Sequence, residues 1–363
     1  MLGQRARPVR GAGTGKPTPE RAHGVPSPTQ HLKKGVHTVG VRRQYTGTTG
    51  RIENAQVAVY LTYTTDRGHA CIDRALYLPK IWTGDPHRCT AAGVPDDVTF
   101  ATKPALARRM LTQALDAGVS AGWVTADEVY GNDPALRADL AHRGIDYVLA
   151  VAKDHRIVTG IGVRKAVELA VRLPTSSWQS RSAGAGSKGH RFYDWALIDT
   201  VDGDLPGRHW LLIRRNQATG EYAFYRAHAS HPVPLPVLVR VAERRWTVEE
   251  TIQTCKELTA LDQHQVRTWT SWQRWTILAM LAHAFLTVTV TVTAADQRDQ
   301  HSHDDADLLP MTVGEIRRLF VALLTRPAAS FDHVLRWSRW RRRHQANAKA
   351  KASHYRRHNH QPN

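Results

Sequence analysis

The sequence predicts an α/β fold in which helices flank a mixed β-sheet and a β-rich insertion precedes the last helix of the core. Hydrophobic residues make up 42% of the 363 residues, which is enough for a buried core. Between residues 54 and 151, strand-like and helix-like segments follow the order β-β-α-β-α-β, which is typical of a mixed sheet with helices on its faces. Strand-like segments dominate residues 192–228, and helices return at residue 236.

The first part of the chain changes its hydrophobic period between that of strands and that of helices. Asp66-Arg67-Gly68 predicts the turn between the first two strands, and Gly118 marks the end of the first helix. Asp127 follows a short buried strand, at the carboxyl end where α/β sheets bind their ligands. The predicted elements are strands 54–65 and 70–78, helix 103–117, strand 122–125, helix 134–142 and strand 147–151.

The second part contains alternating strands, then helices, and ends in an Arg-, Lys- and His-rich tail from Arg336. Trp337 and Trp340 interrupt this tail and leave two alternatives open. In the first, the two rings stack on nucleic-acid bases. In the second, they lie on one side of a helix, because they are three residues apart, and pack on the core. The predicted elements are strands 192–200, 209–215 and 221–228 and helices 236–261, 271–286 and 313–324.

The net charge of +18 and the pI of about 10.3 favour a polyanionic partner, most often nucleic acid. A ribosomal or merely basic protein is the alternative, but eleven Trp and 32 acidic residues favour a globular, enzyme-like body. Cys71, Cys89 and Cys255 form no C-x-x-C pair, so we expect no zinc site, no disulfide framework and a cytoplasmic location. The first thirty residues lack an apolar segment, so we expect no signal peptide.

One segment, residues 275–295, is long enough to span a membrane. It contains His283 and several Thr residues, and it follows a charged amphipathic helix. We therefore interpret it as a buried helix and expect no membrane partner.

Arg245, Glu249 and Lys256 lie on one face of a predicted helix because they are four and seven residues apart. A carboxylate between two cations suits the binding of a divalent metal against a phosphodiester. The alternative is a surface helix with an i,i+4 ion pair worth a few tenths of a kcal/mol. The opposite stripe of this helix is apolar and consists of Val248, Ile252, Cys255 and Leu258.

This helix resembles the Y-(2)-R-(3)-E-(6)-K signature of DDE insertion-sequence transposases, with Ala242 at the Tyr position. Two other segments resemble the same family: Leu-Lys-Lys-Gly at 32–35 with Gln-Tyr-Thr-Gly-Thr-Thr-Gly-Arg-Ile-Glu-Asn at 44–54, and Val-Thr-Ala-Asp-Glu-Val-Tyr-Gly at 124–131. The resemblance runs in the right order from Leu32 to Leu286. It implies an RNase H-like fold.

The resemblance also implies a function: cleavage and strand transfer of insertion-sequence DNA ends by a homo-oligomer, with Mg²⁺ or Mn²⁺ held by three carboxylates. Asp127 and Glu249 match the second and third of these catalytic and metal-binding residues. A helix-capping Asp and a surface Glu are the alternative interpretation. By the same resemblance, the residues expected to contact DNA are Lys33, Lys34, Arg42, Arg43, Arg51, Arg245 and Lys256.

The first catalytic Asp is absent, because Ser27 stands at its position. Pro26 and Pro28 should also disrupt the central strand, since each removes a backbone donor. We therefore expect a frameshifted or truncated N-terminus with impaired catalysis, and we expect Ser27→Asp alone not to restore it. Asp73 is the best candidate to replace the missing carboxylate.

These interpretations divide the chain into five regions and leave three functional hypotheses. An impaired transposase is the first, a non-catalytic DNA-binding remnant that competes with intact transposase is the second, and an unrelated basic protein with Asp127 and Glu249 far apart is the third. The regions are a disordered, non-family segment (1–31), the first part of the core (32–157), the insertion (158–235), the last part of the core with the Glu249 helix (236–295) and C-terminal helices with a basic tail (296–363).

Overall fold

The computed structural model describes residues 23–46, 50–160, 162–186, 189–299, 309–325 and 330–359. The strands in these ranges are β1 (His23–Leu32), β2 (Arg42–Thr46), β3 (Arg51–Thr64), β4 (His69–Tyr77), β5 (Trp123–Ala126), β6 (Asp146–Val151), β7 (Arg156–Thr159), β8 (Gly162–Lys165), β9 (Gln179–Gly186), β10 (Gly189–Asp199), β11 (Arg208–Asn216) and β12 (Tyr222–Ala229). The α-helices are α1 (Lys80–Thr83), α2 (Pro86–Ala91), α3 (Lys103–Asp116), α4 (Glu128–Gly131), α5 (Pro134–His142), α6 (Ala166–Val171), α7 (Leu235–Thr259), α8 (Trp269–Asp299), α9 (Val313–Phe320) and α10 (Phe331–Asn359).

A single mixed sheet organises the described part of the chain. Its strand order is β2-β3-β1-β5-β6-β12-β11-β10-β9, and β4 also pairs with β3. β3 is antiparallel to both β1 and β4, whereas β5 and β6 run parallel to β1. An antiparallel meander followed by two parallel strands is the RNase H-like arrangement. With helices on both faces, it confirms the predicted fold class.

The β-rich insertion continues this sheet. β12 pairs antiparallel with β6, and β11, β10 and β9 follow outward. The sequence predicts β10, β11 and β12 but not β9, because the Ser-Ala-Gly-Ala-Gly run in β9 has low strand propensity. The β7–β8 hairpin, which is separate from the main sheet, was also not predicted.

Helices bury each face of the sheet in a different way. On one face, α3 and α5 pack their apolar side chains on β3, β5 and β6. On the other face, α7 crosses the sheet diagonally: its first half packs on the insertion strands and its second half packs on β1, β3 and β4. α7 therefore lies directly over β1, and one flank of α7 faces the carboxyl end of β5.

The structure corrects the expectation that residues 1–31 are disordered, because residues 23–31 belong to β1 between β3 and β5. The Lys33 N–H donates to the carbonyl of Asn54 at 2.9 Å, so odd-numbered residues of β1 point their N–H groups toward β3. Pro26 and Pro28 are even-numbered and face the β5 side. Pro26 is level with Ala126, the last residue of β5, so the missing donors cost the sheet little. Residues 1–22 lie outside the described residues.

Helix α8 also differs from the expectation of a buried helix. One side is buried through Trp272, Thr276 and His283, but Leu278 and Leu281 on the other side are 63% and 65% exposed. By length and composition, Trp269–Ala295 is the one described helix that could cross a membrane. Its buried side packs on β4, α7 and α9.

Gly131 at the end of α4 provides a test of this packing. A Cβ atom at this position would overlap the carbonyl oxygen of Ala150 in β6 and would lie 3.1 Å from the Cβ of Leu149. Gly131→Ala should therefore lower the free energy of unfolding by at least about 2 kcal/mol, measured by denaturant unfolding. Gly35→Ala is the control, since nothing lies within 4 Å of its Cβ position. Equal stability of the two variants would contradict this packing.

Candidate active site

Asp127 lies at the end of β5 and begins the next helix. Its backbone is extended, and its Oδ1 accepts a hydrogen bond of 2.9 Å from the N–H of Val129, which caps α4. Val124 and Ala126 point toward α3, so alternation along the strand directs Asp127 toward α7. The half-buried carboxylate thus faces the helix that carries Glu249.

Ser27 occupies the matching position on the neighbouring strand. His23 pairs with Trp123 and Gly24 with Val124. When this register is continued past Ala126, the last residue of β5, Ser27 comes level with Asp127, whose backbone is still extended. Ser27 also pairs with Tyr60, which packs on the α7 side of the sheet. The side chain of Ser27 therefore shares a face with Asp127, and a hydroxyl stands where the resemblance leads us to expect a carboxylate.

Arg245 connects the two candidate carboxylates. Its Nη1 lies 2.9 Å from Oε1 of Glu249, and its guanidinium lies over the ring of Trp246 at 4.4 Å. Its positive charge also acts on Asp127 and favours the ionised carboxylate. Asp127 and Glu249 are thus both within the electrostatic reach of one guanidinium, although more than 120 residues separate them in the sequence.

Burial dominates the titration of Asp127. Desolvation raises the pKa of this carboxyl above its ordinary value, because the charged form loses its hydration. The hydrogen bond from Val129, the charge of Arg245 and the backbone of Tyr130 oppose this rise only in part. Because its pKa is raised, a smaller fraction of Asp127 is ionised at a given pH than of an exposed Asp.

Lys103 is a neighbour of Asp127 that sequence reasoning missed. It lies in the first turn of α3, whose N-terminus reaches the carboxyl end of β5. Burial lowers the pKa of its ammonium, and the negative charge of Asp127 partly restores it. The sequence signal was weak, because only the right-handed return from α3 to β5 brings the two residues together.

Asp73 does not replace the missing carboxylate. It pairs with Leu61, whose side chain packs on the α3 side of the sheet, whereas Ser27 faces α7. Its Oδ1 accepts the N–H of Arg74 at 2.8 Å, and burial raises its pKa. The proposed substitution by Asp73 is therefore wrong, since the carboxylate lies on the opposite face.

The side chain of Lys33 is buried against the protein, so Lys33 is a poor candidate for contact with DNA. It is 9% exposed, and its Nζ donates to the carbonyl of His264 at 2.7 Å. Burial lowers the pKa of Lys33 to about 8. Asn54 stabilises the segment around Lys33, because its Nδ2 donates hydrogen bonds to the carbonyls of Lys33 and Gly35 at 2.7 and 2.9 Å. Two segments of the family resemblance therefore contact each other.

The other predicted DNA contacts differ in exposure. Lys34, Arg42 and Arg43 are exposed near the carboxyl end of β1, and Arg51 forms a 2.5 Å ion pair with Glu53. Lys256 is half-buried and close to His31. Burial holds the pKa of His31 well below its ordinary value, and the charges of His264, Lys256 and Lys33 lower it further. This end of the sheet is therefore electropositive even with neutral histidines.

The carboxylates do not form a complete site for two divalent ions. Across the described ranges, no three Asp, Glu, His or Cys side chains lie close enough to hold one metal ion. Asp127 is engaged as a helix cap, Glu249 is paired with Arg245, and Ser27 contributes a neutral hydroxyl. Mg²⁺ prefers carboxylate oxygens, so this set of residues fits the predicted metal site poorly.

Comparison with known proteins gives one family. Residues 25–164, less than half of the chain, match the sequence model of a family described as DDE superfamily endonuclease. The match supports a DDE-type nuclease or transposase family with DNA as substrate. It begins at Val25, inside the segment that we expected to be unrelated to the family. No curated protein matches the chain.

Among solved structures, the NurA nuclease from Sulfolobus solfataricus is similar at 10% identity, over 67% of this chain and 81% of that chain. The TM-score of this comparison is 0.31.

The raised pKa of Asp127 predicts that its ionised carboxylate lowers the free energy of unfolding at neutral pH. A folded-state pKa above the unfolded value favours folding at low pH, and that contribution is lost as the pH rises through the folded-state pKa. Asp127→Asn keeps the helix cap and removes the buried charge, so it should stabilise the protein at pH 7. The gain should shrink as the pH approaches 3.8, the ordinary value for Asp. Denaturant unfolding at pH 7 and pH 4 measures this, and destabilisation at pH 7 would refute it.

Proposed function

We propose that this protein is a DDE transposase of the insertion-sequence type in which DNA cleavage and strand transfer are impaired. The single observation that supports the impairment is the register of β1, which sets Ser27 level with Asp127 on the same face of the sheet. The first carboxylate of the expected set is thus replaced within an intact strand.

The remaining residues of the site support binding better than cutting. Arg245 neutralises Glu249 and acts on Asp127, so its guanidinium is positioned to meet a phosphate near the two carboxylates. Lys34, Arg42 and Arg43 extend this positive region along the exposed end of the sheet. A divalent ion, when bound, would polarise the phosphodiester and generate the nucleophile. The residues present do not provide its full ligand set.

The alternative function is a DNA-binding remnant that competes with intact transposase or joins its oligomers. The net charge of +18 and the incomplete carboxylate set favour this alternative if no cleavage is detected. An unrelated basic protein is disfavoured, because Arg245 acts on both Asp127 and Glu249. A cytoplasmic location and a homo-oligomeric state remain proposals.

The first test is cleavage of DNA. We expect no nicking by the unmodified chain, with Mg²⁺ or Mn²⁺, of a plasmid carrying the genomic DNA that flanks the coding sequence. Because β1 is formed despite its prolines, Ser27→Asp alone should restore a carboxylate beside Asp127 and raise nicking by about 100-fold or more. This reverses the expectation from the sequence.

Ser27→Asn is the matched neutral control and should remain inactive, as should Ser27→Asp combined with Asp127→Ala. Cleavage by the unmodified chain that Asp127→Ala abolishes would show that another residue supplies the first carboxylate. Failure of a folded Ser27→Asp variant to cleave would favour the DNA-binding remnant.

The second test is the salt dependence of DNA binding. Contacts between cations and phosphates release counterions, so the affinity for a duplex should fall steeply between 50 and 200 mM salt, by about 10-fold or more, with little dependence on sequence. A mobility-shift titration at both salt concentrations measures this. Binding that is insensitive to salt, or absent at low salt, would argue against nucleic acid as the partner.

A further inference from the structure

A row of aromatic rings runs along the exposed side of α10. The ring centroids of His333 and Trp337 lie 6.4 Å apart, those of Trp337 and Trp340 lie 5.3 Å apart, and those of Trp340 and His344 lie 5.4 Å apart. Trp337 and Trp340 are 49% and 56% exposed. Large aromatic rings in solvent lose the stabilisation that burial would give them, so this row is available to a partner.

The opposite side of α10 holds the helix against α9. Val334 and Ser338 are buried there, and Arg342 donates from Nε to the carbonyl of Leu309 at 2.6 Å. Arg341 forms an ion pair with the buried Glu315. Burial would raise the pKa of Glu315, but hydrogen bonds from Arg341, Ser338 and Arg318 outweigh it, so the pKa is lowered. Trp340 therefore lies on the side away from this contact, and Trp337 lies at the edge of the contact. Both side chains are about half exposed, at 56% and 49%, and neither belongs to the core.

A cavity of about 450 Å³ lies between α9 and α10, beside the start of the aromatic row. Its volume falls within the range of about 300–1,000 Å³ that is usual for small-ligand sites. Its lining combines aromatic and cationic side chains with the apolar Val321, Ala322 and Val334, which suits a flat ring attached to an anionic group. The residues that give this character are His333, Trp337, Arg317, Arg318 and Arg341.

The charge of α10 further restricts the class of molecule that it can bind. From Phe331 to Asn359 the sequence contains nine Lys and Arg residues, and Asp332 is its only acidic residue. Arg336 and Arg343 are exposed beside the aromatic row. Alternating cations and aromatic rings are typical of surfaces that follow a nucleic-acid backbone while the bases stack on the rings.

We infer that α10 and the cavity beside α9 bind unpaired nucleotides of a single DNA strand. Bases stack on Trp337 and Trp340, and the phosphates contact the arginines that line the cavity and the helix. In duplex DNA the bases already stack on one another, so the rings gain a partner only where the strands are separated. This site is distinct from the region around Asp127, and its binding does not require cleavage.

A membrane surface fits this helix less well than a strand of DNA. An amphipathic membrane helix separates a continuous apolar face from a charged face. On α10 the exposed stripe continues from Trp340 through His344 to Asn347 and Lys351, so only two of its positions are strongly apolar. Arginines flank the rings on the same side. The pattern therefore favours contact with bases and phosphates.

The test compares the affinities of the full-length chain for single strands and duplexes of about 20 nucleotides, using fluorescence anisotropy. The paired substitution Trp337→Ala and Trp340→Ala should weaken binding to an oligothymidylate by about 10-fold or more and binding to the duplex by less than about 2-fold. The paired substitution of both residues to Phe should retain most of the affinity. Phe331→Ala is the control, because Phe331 is 61% exposed on the same helix but outside the row.

A second probe leaves the protein unchanged. An abasic strand of the same length carries the same phosphates without bases, so its affinity should be about as low as that of the alanine variant for oligothymidylate. Equal losses on single strands and duplexes, or no loss in the alanine variant, would overturn the inference. If the alanine variant lost binding to vesicles of anionic phospholipid but kept its binding to single-stranded DNA, α10 would be assigned to a membrane surface. In each case salt-dependent duplex binding would still test the proposed function separately.

Discussion

The register of β1 is the constraint on which the composition of the candidate site depends. Two pairings with β5 and ten with β3 fix β1 in the sheet, and this alignment puts Ser27 beside Asp127 on the α7 face. A shift by one residue would send every side chain of the strand to the other face. The site therefore lacks a carboxylate because of the residue at this position, while the strand that would hold it is present.

Electrostatics explains how the candidate site accommodates its buried charge. Burial removes the hydration of the Asp127 carboxylate, and the negative charge of the neighbouring Glu128 raises its pKa further. Arg245 opposes both effects by acting on Asp127 and also pairs with Glu249, while Lys103 contributes from the α3 side. A site compensated in this way by its own cations is better suited to contact with an anionic phosphate than to coordination of two divalent ions.

The sequence predicts elements with strong local signals, and it fails where the outcome depends on neighbours in space. Helix Pro134–His142 was predicted with its exact bounds, because Pro134 and the Asp133 cap define its start. The rule that proline disrupts a central strand failed because Pro26 and Pro28 are two residues apart and face the side on which β5 ends. The sequence shows the motif around Lys33, but the burial of Lys33 against His264 depends on a segment more than 200 residues away.

In the proposed function, binding and cutting of DNA would depend on different parts of this molecule. Cutting requires three carboxylates in one geometry, and a single replacement at Ser27 removes the arrangement. Binding depends on many cations, each worth little alone, spread over the sheet edge and α10. By this proposal, loss of any one of these cations should leave most of the affinity intact. By this proposal, a chain of this fold would lose its chemistry through one residue and still bind DNA, because the two properties depend on separate residues.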